Sequence, residues 1–277
     1  MRKVFAVAGD THINSISALC PPVVTRDDGD DHHQSPIQRA IWKAWVSDWK
    51  AVKEFANGDK VNGLFMGDMI EADAKKRDAV VISKNANDII RIAGDVMEIP
   101  YQIIDRGYFL RGTEAHVGPA AQWDEALASD CDVAIPSRRG KDDDDEKKRS
   151  GIYSHWTLKF NIDGYRIFAA HHPPSLANPK NAAKKIRDAY YSHGEQPPDL
   201  AIFAHVHHCE DSGALGSILP RVISTPCYQA ATPYTQRIAI YDAPQIGLLY
   251  FAINNGKLEG DIHARIHDLP KEREIRI

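Results

Sequence analysis

Lys3-Val4-Phe5-Ala6-Val7-Ala8-Gly9-Asp10-Thr11-His12 opens on an apolar, partly β-branched run and breaks at Gly-Asp. A run of that length reads as a buried strand that delivers polar residues at its C-terminal tip. Asp10 and His12 stand two residues apart, so in extended backbone both side chains point to one side and can bind one cation. The pattern recurs down the chain. Val61 to Met66 ends in Gly67-Asp68, and Tyr108 to Leu110 leads into Arg111-Gly112-Thr113-Glu114-Ala115-His116. Tyr165 to Ala170 is followed by His171-His172, and Leu200 to Ala204 by His205-Val206-His207, again with the spacing that puts two imidazoles on one face. One such ending is what any surface strand can carry by chance. Ligand-type residues at the ends of five separate apolar runs are not explained by packing.

Between these runs the sequence alternates with helical patterns. Ser35-Pro36-Ile37-Gln38 carries a capping residue, an early proline and a capping-box glutamine. Ile41, Trp42, Trp45, Trp49, Val52 and Phe55 then form one face, read as a packing stripe, and Gly58 closes the helix. Asn14 to Gln34 reads as a long loop, and Asp78 to Met97 as a second helix bounded by Pro100. Asp142 to Arg149 (DDDDEKKR) is a solvated charge run. Asp163-Gly164 between Trp156–Ile162 and Tyr165–Ala170 signals a hairpin, and Asn255-Gly256 marks a second turn. Val222–Ser224, Arg237–Tyr241, Gly247–Ile253 and Leu258–Ile266 supply further strands. Strand-helix alternation without an internal repeat or low-complexity linker indicates one α/β domain over residues 1–277, with a β-rich portion at 210–277.

Composition narrows the function. The chain has 277 residues, 43% of them hydrophobic, and no apolar stretch near the ~20 residues of a membrane span. Its net charge of −4 provides no global basic field for nucleic acid. Cys20, Cys131, Cys209 and Cys227 lie too far apart for a zinc ribbon or redox pair, and the N-terminus lacks the apolar length of a signal peptide. A cytoplasmic protein is expected. Histidine is the outlier, at 13 residues, and imidazole serves metal binding and proton transfer above other tasks.

In order and content these blocks resemble the calcineurin-like metallophosphoesterases, whose signature runs GDxH, GDxx, GNH with a following acid, a lone strand-end His, and GHxH. Here they stand as Gly9-Asp10-Thr11-His12, Gly67-Asp68-Met69-Ile70, Gly112-Thr113-Glu114-Ala115-His116, His171, and Ala204-His205-Val206-His207, covering most of the chain between residues 9 and 207. The third block is similar to the GTxxH variant of phage and prophage members. The resemblance implies a four-layer α/β/β/α sandwich, two mixed sheets face to face with helices outside, in which residues 210–277 complete the second sheet. It also implies two divalent ions: Mn²⁺ first, with Fe, Zn²⁺, Ni²⁺ and Mg²⁺ as the other candidates. By motif position Asp10, His12 and His207 would hold the first ion, His171 and His205 the second, and Asp68 would bridge them. His172 is the alternative to His171, which is preferred because it matches His-x-Pro.

The third block departs from the family. Thr113 stands where an asparagine supplies its amide oxygen, Glu114 stands at the usual histidine position, and His116 is displaced by two residues. Glu114 or His116 then completes the second ion, or that ion is more solvated. His116 is the alternative general acid, and Arg111, Thr113 and Glu114 are carried as second-metal or substrate candidates. The implied activity is phosphoester hydrolysis by a metal-activated water attacking in line, on a phosphodiester, nucleotide or nucleic-acid substrate. A phosphomonoesterase and a non-catalytic metal-binding scaffold are the alternatives, and a bacterial or phage-infected cytoplasm is the expected setting. Lys180, Lys184, Lys185 and Arg187 are read as a solvated helix face, and Tyr228 and Tyr234 as core.

Overall fold

The computed structural model describes residues 2–72, 81–137, 151–174, 178–216, 218–231 and 244–269. In chain order it begins with β1 (Lys3–Ala8), β2 (Val23–Thr25), β3 (Asp31–His33), α1 (Pro36–Ala56), β4 (Val61–Phe65) and α2 (Ala86–Tyr101). It continues through β5 (Arg106–Leu110), the one-turn α3 (Glu114–Val117), α4 (Gln122–Asp130), β6 (Ser154–His155), β7 (Thr157–Ile162) and β8 (Tyr165–Ala170). It ends with α5 (Pro179–Ser192), β9 (Leu200–Phe203), β10 (Arg221–Ser224), β11 (Ile246–Asn254) and β12 (Lys257–His267).

Two mixed sheets result. The larger has the order β12-β11-β1-β4-β5-β6 and the smaller β10-β9-β8-β7. β1, β4, β5 and β6 run parallel, as do β8, β9 and β10. The layers follow from side-chain alternation. In β1, Val4, Ala6 and Ala8 pack with Ile41, Trp45, Trp49, Ile92 and Val96 of the helices, whereas Phe5 and Val7 face Leu158, Ile167, Leu200 and Ile202 of the smaller sheet. In β9, Leu200 and Ile202 face the larger sheet, and Ala201 and Phe203 face Ala182, Ala183 and Ile186 of α5. The stacking is therefore helices, sheet, sheet, helix, the four-layer sandwich that was expected.

Local chemistry fixes the elements that frame the site. Ser35 Oγ accepts from Gln38 N–H while Gln38 Oε1 accepts from Ser35 N–H, closing the capping box of α1. Trp45 and Trp49 are fully buried and Trp42 packs at the margin, so the tryptophan stripe is core. The β7–β8 turn uses Asp163 and Gly164 at φ of 50° and 98°, as a two-residue hairpin requires. No helix of the described residues is long and apolar enough to cross a membrane.

Four expectations are corrected. Residues 210–277 do not simply complete the second sheet: β10 joins it, but the long β11–β12 hairpin pairs antiparallel with β1 and extends the first sheet. The free edge of β1 accepts β11 because both strands are apolar on both faces, as an inner position demands. The second helix starts at Ala86, where Asn85 Oδ1 accepts from Asn87 N–H, and it runs through Pro100. That proline removes the donor for the Val96 carbonyl, which accepts from the Trp45 indole at 3.2 Å instead. Finally, residues 14–34 are not all loop, since β2 and β3 pair. The charge run at 142–149, the strand expected at 237–241 and Tyr234 lie outside the described residues.

Candidate metal centre

Parallel strands bring their C-terminal ends to one edge of a sheet, where open α/β sheets place ligands. The loops after β1, β4 and β5 leave the larger sheet there and meet those after β8 and β9. Pairing continues past the strand ends: Asp10 N–H donates to Gly67 O, His12 N–H to Asp68 O, and Ala204 N–H to His171 O, each at 3.0 Å. His205 N–H donates to Asp10 Oδ2 at 2.9 Å, which ties the two sheets across the site.

The backbone here is unusual. Asp10, His12, Asp68, His205 and His207 all adopt positive φ, between 42° and 72°. Asp and His tolerate this region better than most residues, but five such conformations at one sheet edge are held only because the surrounding pairing determines them. Close approach sets the glycines too. A Cβ on Gly112 would stand 2.1 Å from Asp68 Oδ1, and one on Gly67 would stand 2.7 Å from Gly112 N, so the second and third blocks can touch only as glycines.

The side chains converge in overlapping groups whose ligating atoms lie within 4.8 Å of one another: Asp10, His12 and His207; His12, Asp68 and His116; Asp10, Asp68 and His171; and His171, His172 and His205. Asp10, His12, Asp68 and His171 are buried. His171 Nδ1 donates to Met66 O at 2.7 Å, which leaves Nε2 facing Asp68 Oδ2 at 3.2 Å. A ring so held has its tautomer and lone pair set for a cation.

This donor set fits divalent ions. Asp10 Oδ1 is buried without a hydrogen-bond donor and lies 3.5 Å from His207 Nε2. His12 Nε2 and His207 Nε2 face each other at 3.3 Å, two nitrogens that a shared cation would satisfy together.

Electrostatics divide the histidines. Burial pushes the His171 pKa down, but the Asp68 carboxylate outweighs it and lifts the group to about 9. Burial lowers His205, and the neighbouring His171 and His172 add to the shift, to about 4. Burial and His171 likewise lower His172. Burial works against ionisation of Glu71, yet the hydrogen bonds from His116 and His12 hold it down at about 2.

The third block behaves differently from its expected parts. Thr113 stays at the site, its Oγ1 3.3 Å from His171 Nε2 and 3.4 Å from His205 Nδ1, while its N–H donates to Asp68 Oδ1 at 2.5 Å. His116 lies beside His12, ring centroids 4.6 Å apart, in a donor group with His12 and Asp68. Glu114 is exposed on α3, and its carboxylate accepts from Ala120 N–H. Arg111 also has partners outside the donor groups. Its Nε donates to Ser154 Oγ and its guanidinium lies 4.8 Å over the Trp156 ring, so it faces β6.

Two carboxylates escaped the sequence reading. Glu71 Oε2 accepts from His116 Nδ1–H at 2.6 Å and lies 3.3 Å from His12 Nδ1. Its position three residues after Asp68, beside the second block, was the available signal. Asp124 on α4, fully buried, accepts from Met69 N–H at 3.1 Å and Gly112 N–H at 2.8 Å, clamping the second block to the third. Nothing local in the sequence marks it.

No family model matches the chain, and no curated protein matches it. Among solved structures it is similar to a hypothetical protein of Pyrococcus horikoshii, with 10% identity and a TM-score of 0.47 over 97% of this chain and 89% of that one. It is also similar to an archaeal phosphodiesterase, at 11% identity and a TM-score of 0.38 over 95% and 99% of the two chains. Vps29 of Chaetomium thermophilum gives 9% identity and a TM-score of 0.42 over 97% and 100%.

Proposed function

We propose that the chain is a binuclear metal-dependent phosphoester hydrolase of the calcineurin-like type, acting on a phosphodiester. The observation that carries this reading is Asp68, a buried carboxylate shared by two of the donor groups, one with His12 and His116 and one with Asp10 and His171. A carboxylate in that position would offer an oxygen to each of two cations. Asp10, His12 and His207 would hold the first ion, and His171 and His205 the second. When bound, two such ions neutralise phosphoryl oxygens and activate a water for in-line attack. Nitrogen and carboxylate donors together suit Mn²⁺, Fe, Zn²⁺ or Ni²⁺. The phage-type assignment, drawn from the GTxxH block, and a cytoplasmic setting belong to the same reading.

The residues around the ligands have separable tasks. His116 is the general acid: Glu71 engages its Nδ1, so Nε2 carries the proton for the leaving oxygen. Burial works to lower its pKa, but the Glu71 hydrogen bond and the Asp68 and Glu71 charges together raise it, which favours the protonated ring. Thr113 N–H holds Asp68 in place.

Hydrolysis of bis(p-nitrophenyl) phosphate and p-nitrophenyl phosphate with added Mn²⁺ tests the reading. The diester should turn over faster, and Asp68→Asn should abolish both activities. Preference for the monoester would make the enzyme a phosphomonoesterase. No turnover under any divalent ion would leave a non-catalytic metal-binding face.

A further inference from the structure

We infer that His172 is a third imidazole ligand of the second ion, making that position a His171-His172-His205 site that takes a nitrogen-preferring divalent ion such as Zn²⁺ or Co²⁺. This rests on the binuclear reading above and goes beyond it, because adjacent residues of a strand face opposite sides and one of His171 and His172 should point away. β8 ends at Ala170, however, and the chain bends at both histidines before Pro173-Pro174. The bend ends the alternation and turns both rings to one side. Lys185 Nζ donates to Pro174 O at 3.0 Å, tying the turn to α5.

The rings form a closed triangle. His172 meets His171 edge-on at 4.7 Å between centroids and His205 at 4.4 Å, and His171 meets His205 at 5.3 Å. The ligating nitrogens of all three lie within 4.8 Å of one another. His172 makes no hydrogen bond among the described residues, so no acceptor or donor competes for its nitrogens. Among the described residues, the side-chain oxygen within hydrogen-bond reach of both His171 and His205 is the neutral Thr113 hydroxyl, a weak donor to a divalent cation. An ion there would have three imidazoles and the Asp68 carboxylate to draw on, a nitrogen-rich set of the kind that favours zinc-class ions over magnesium. A histidine placed there only to cover its neighbours would leave the ion with two imidazoles.

Ion binding tests this without reference to turnover. The full chain, stripped with chelator, is titrated calorimetrically with Zn²⁺ and with Co²⁺, and its imidazole count per zinc is read by X-ray absorption. The wild type should take two ions. His172→Ala should weaken one of them roughly tenfold or more and lower the imidazole count, while His12→Ala weakens the other. His172→Gln, which keeps the volume and offers an amide oxygen, should bind between the two. Circular dichroism checks that each variant is folded. Two ions bound by His172→Ala with wild-type affinity and an unchanged imidazole count would overturn the inference and leave the binuclear reading standing. A wild type that binds no divalent ion would overturn both.

Discussion

Glu71 Oε2 lies 2.6 Å from His116 Nδ1, and the same oxygen lies 3.3 Å from His12 Nδ1. One carboxylate thus orients a histidine from the first block and one from the third, fixing the tautomer of each so that Nε2 faces the centre. Glu71→Gln keeps the shape and removes the charge. Turnover should fall roughly 10–100-fold. Loss of the charge also lowers the His116 pKa, so the alkaline limb of the kcat profile should move to lower pH. An alkaline limb that stays in place would remove His116 from the general-acid role.

Ion binding should release protons. Without a cation, burial disfavours the charged His171, but Asp68 lifts its pKa to about 9, so the ring is protonated at pH 7.5. A cation at Nε2 must displace that proton, and its apparent affinity should rise about tenfold per pH unit up to that value. The linked effect on stability has the opposite sense. A histidine raised above its usual 6.5 contributes stability fully below pH 6.5 and loses it as the pH rises through 9. Chelator-treated protein should therefore melt at lower temperature at pH 9 than at pH 6, and saturating Mn²⁺ should reduce the difference. Calorimetry in buffers of different ionisation enthalpy counts the protons directly.

Asp124 should govern how well the second and third blocks stay together. Its two oxygens accept from Met69 N–H and Gly112 N–H, so an asparagine there must turn its NH₂ toward one of the two donors. Asp124→Asn should destabilise the metal-free chain by about 1–3 kcal/mol through the stranded donor. The effect should shrink as pH rises, because burial and then Asp68 push the Asp124 pKa up to about 7, and the wild type gives up stability as it ionises through that value. Thermal melts of both proteins at pH 5.5 and 8.5 check the sign.

The strand-end blocks were legible because both signals are local: an apolar run of strand length, then a carboxylate or imidazole where it stops. The α1 cap and the Asp163-Gly164 turn were legible for the same reason, each using side chains within a few residues of one another. What the sequence hid depends on distant partners. The β11–β12 hairpin could have extended either sheet, and only the free edge of β1 decides it. Asp124 gains its role from loops 55 and 12 residues away. Glu114 and Arg111 sit within the third block, yet the single turn of α3 and the approach of β6 point them elsewhere. His172 shows the limit of periodicity, since alternation ends where the chain bends.

Asp48 offers a test of stability separate from the ions. It is fully buried on α1, and it accepts from Tyr228 O–H at 2.7 Å and from Arg265 Nε and His267 Nε2 at 2.6 Å each. Tyr228 N–H in turn donates to Asp10 O at 3.0 Å, so this network braces the outer helix against the loop that carries the first ligands. Asp48→Ala leaves three donors facing a void, one of them the buried Tyr228 hydroxyl. The cost should be about 3–5 kcal/mol, the range for breaking a buried charged network by removing one partner. None of the three donors is itself a ligand, so the folded variant should still bind two ions, with Asp10 less firmly held. Denaturant titration measures the first effect and metal analysis the second. A loss of ions at full stability would mean that the network acts on the site directly.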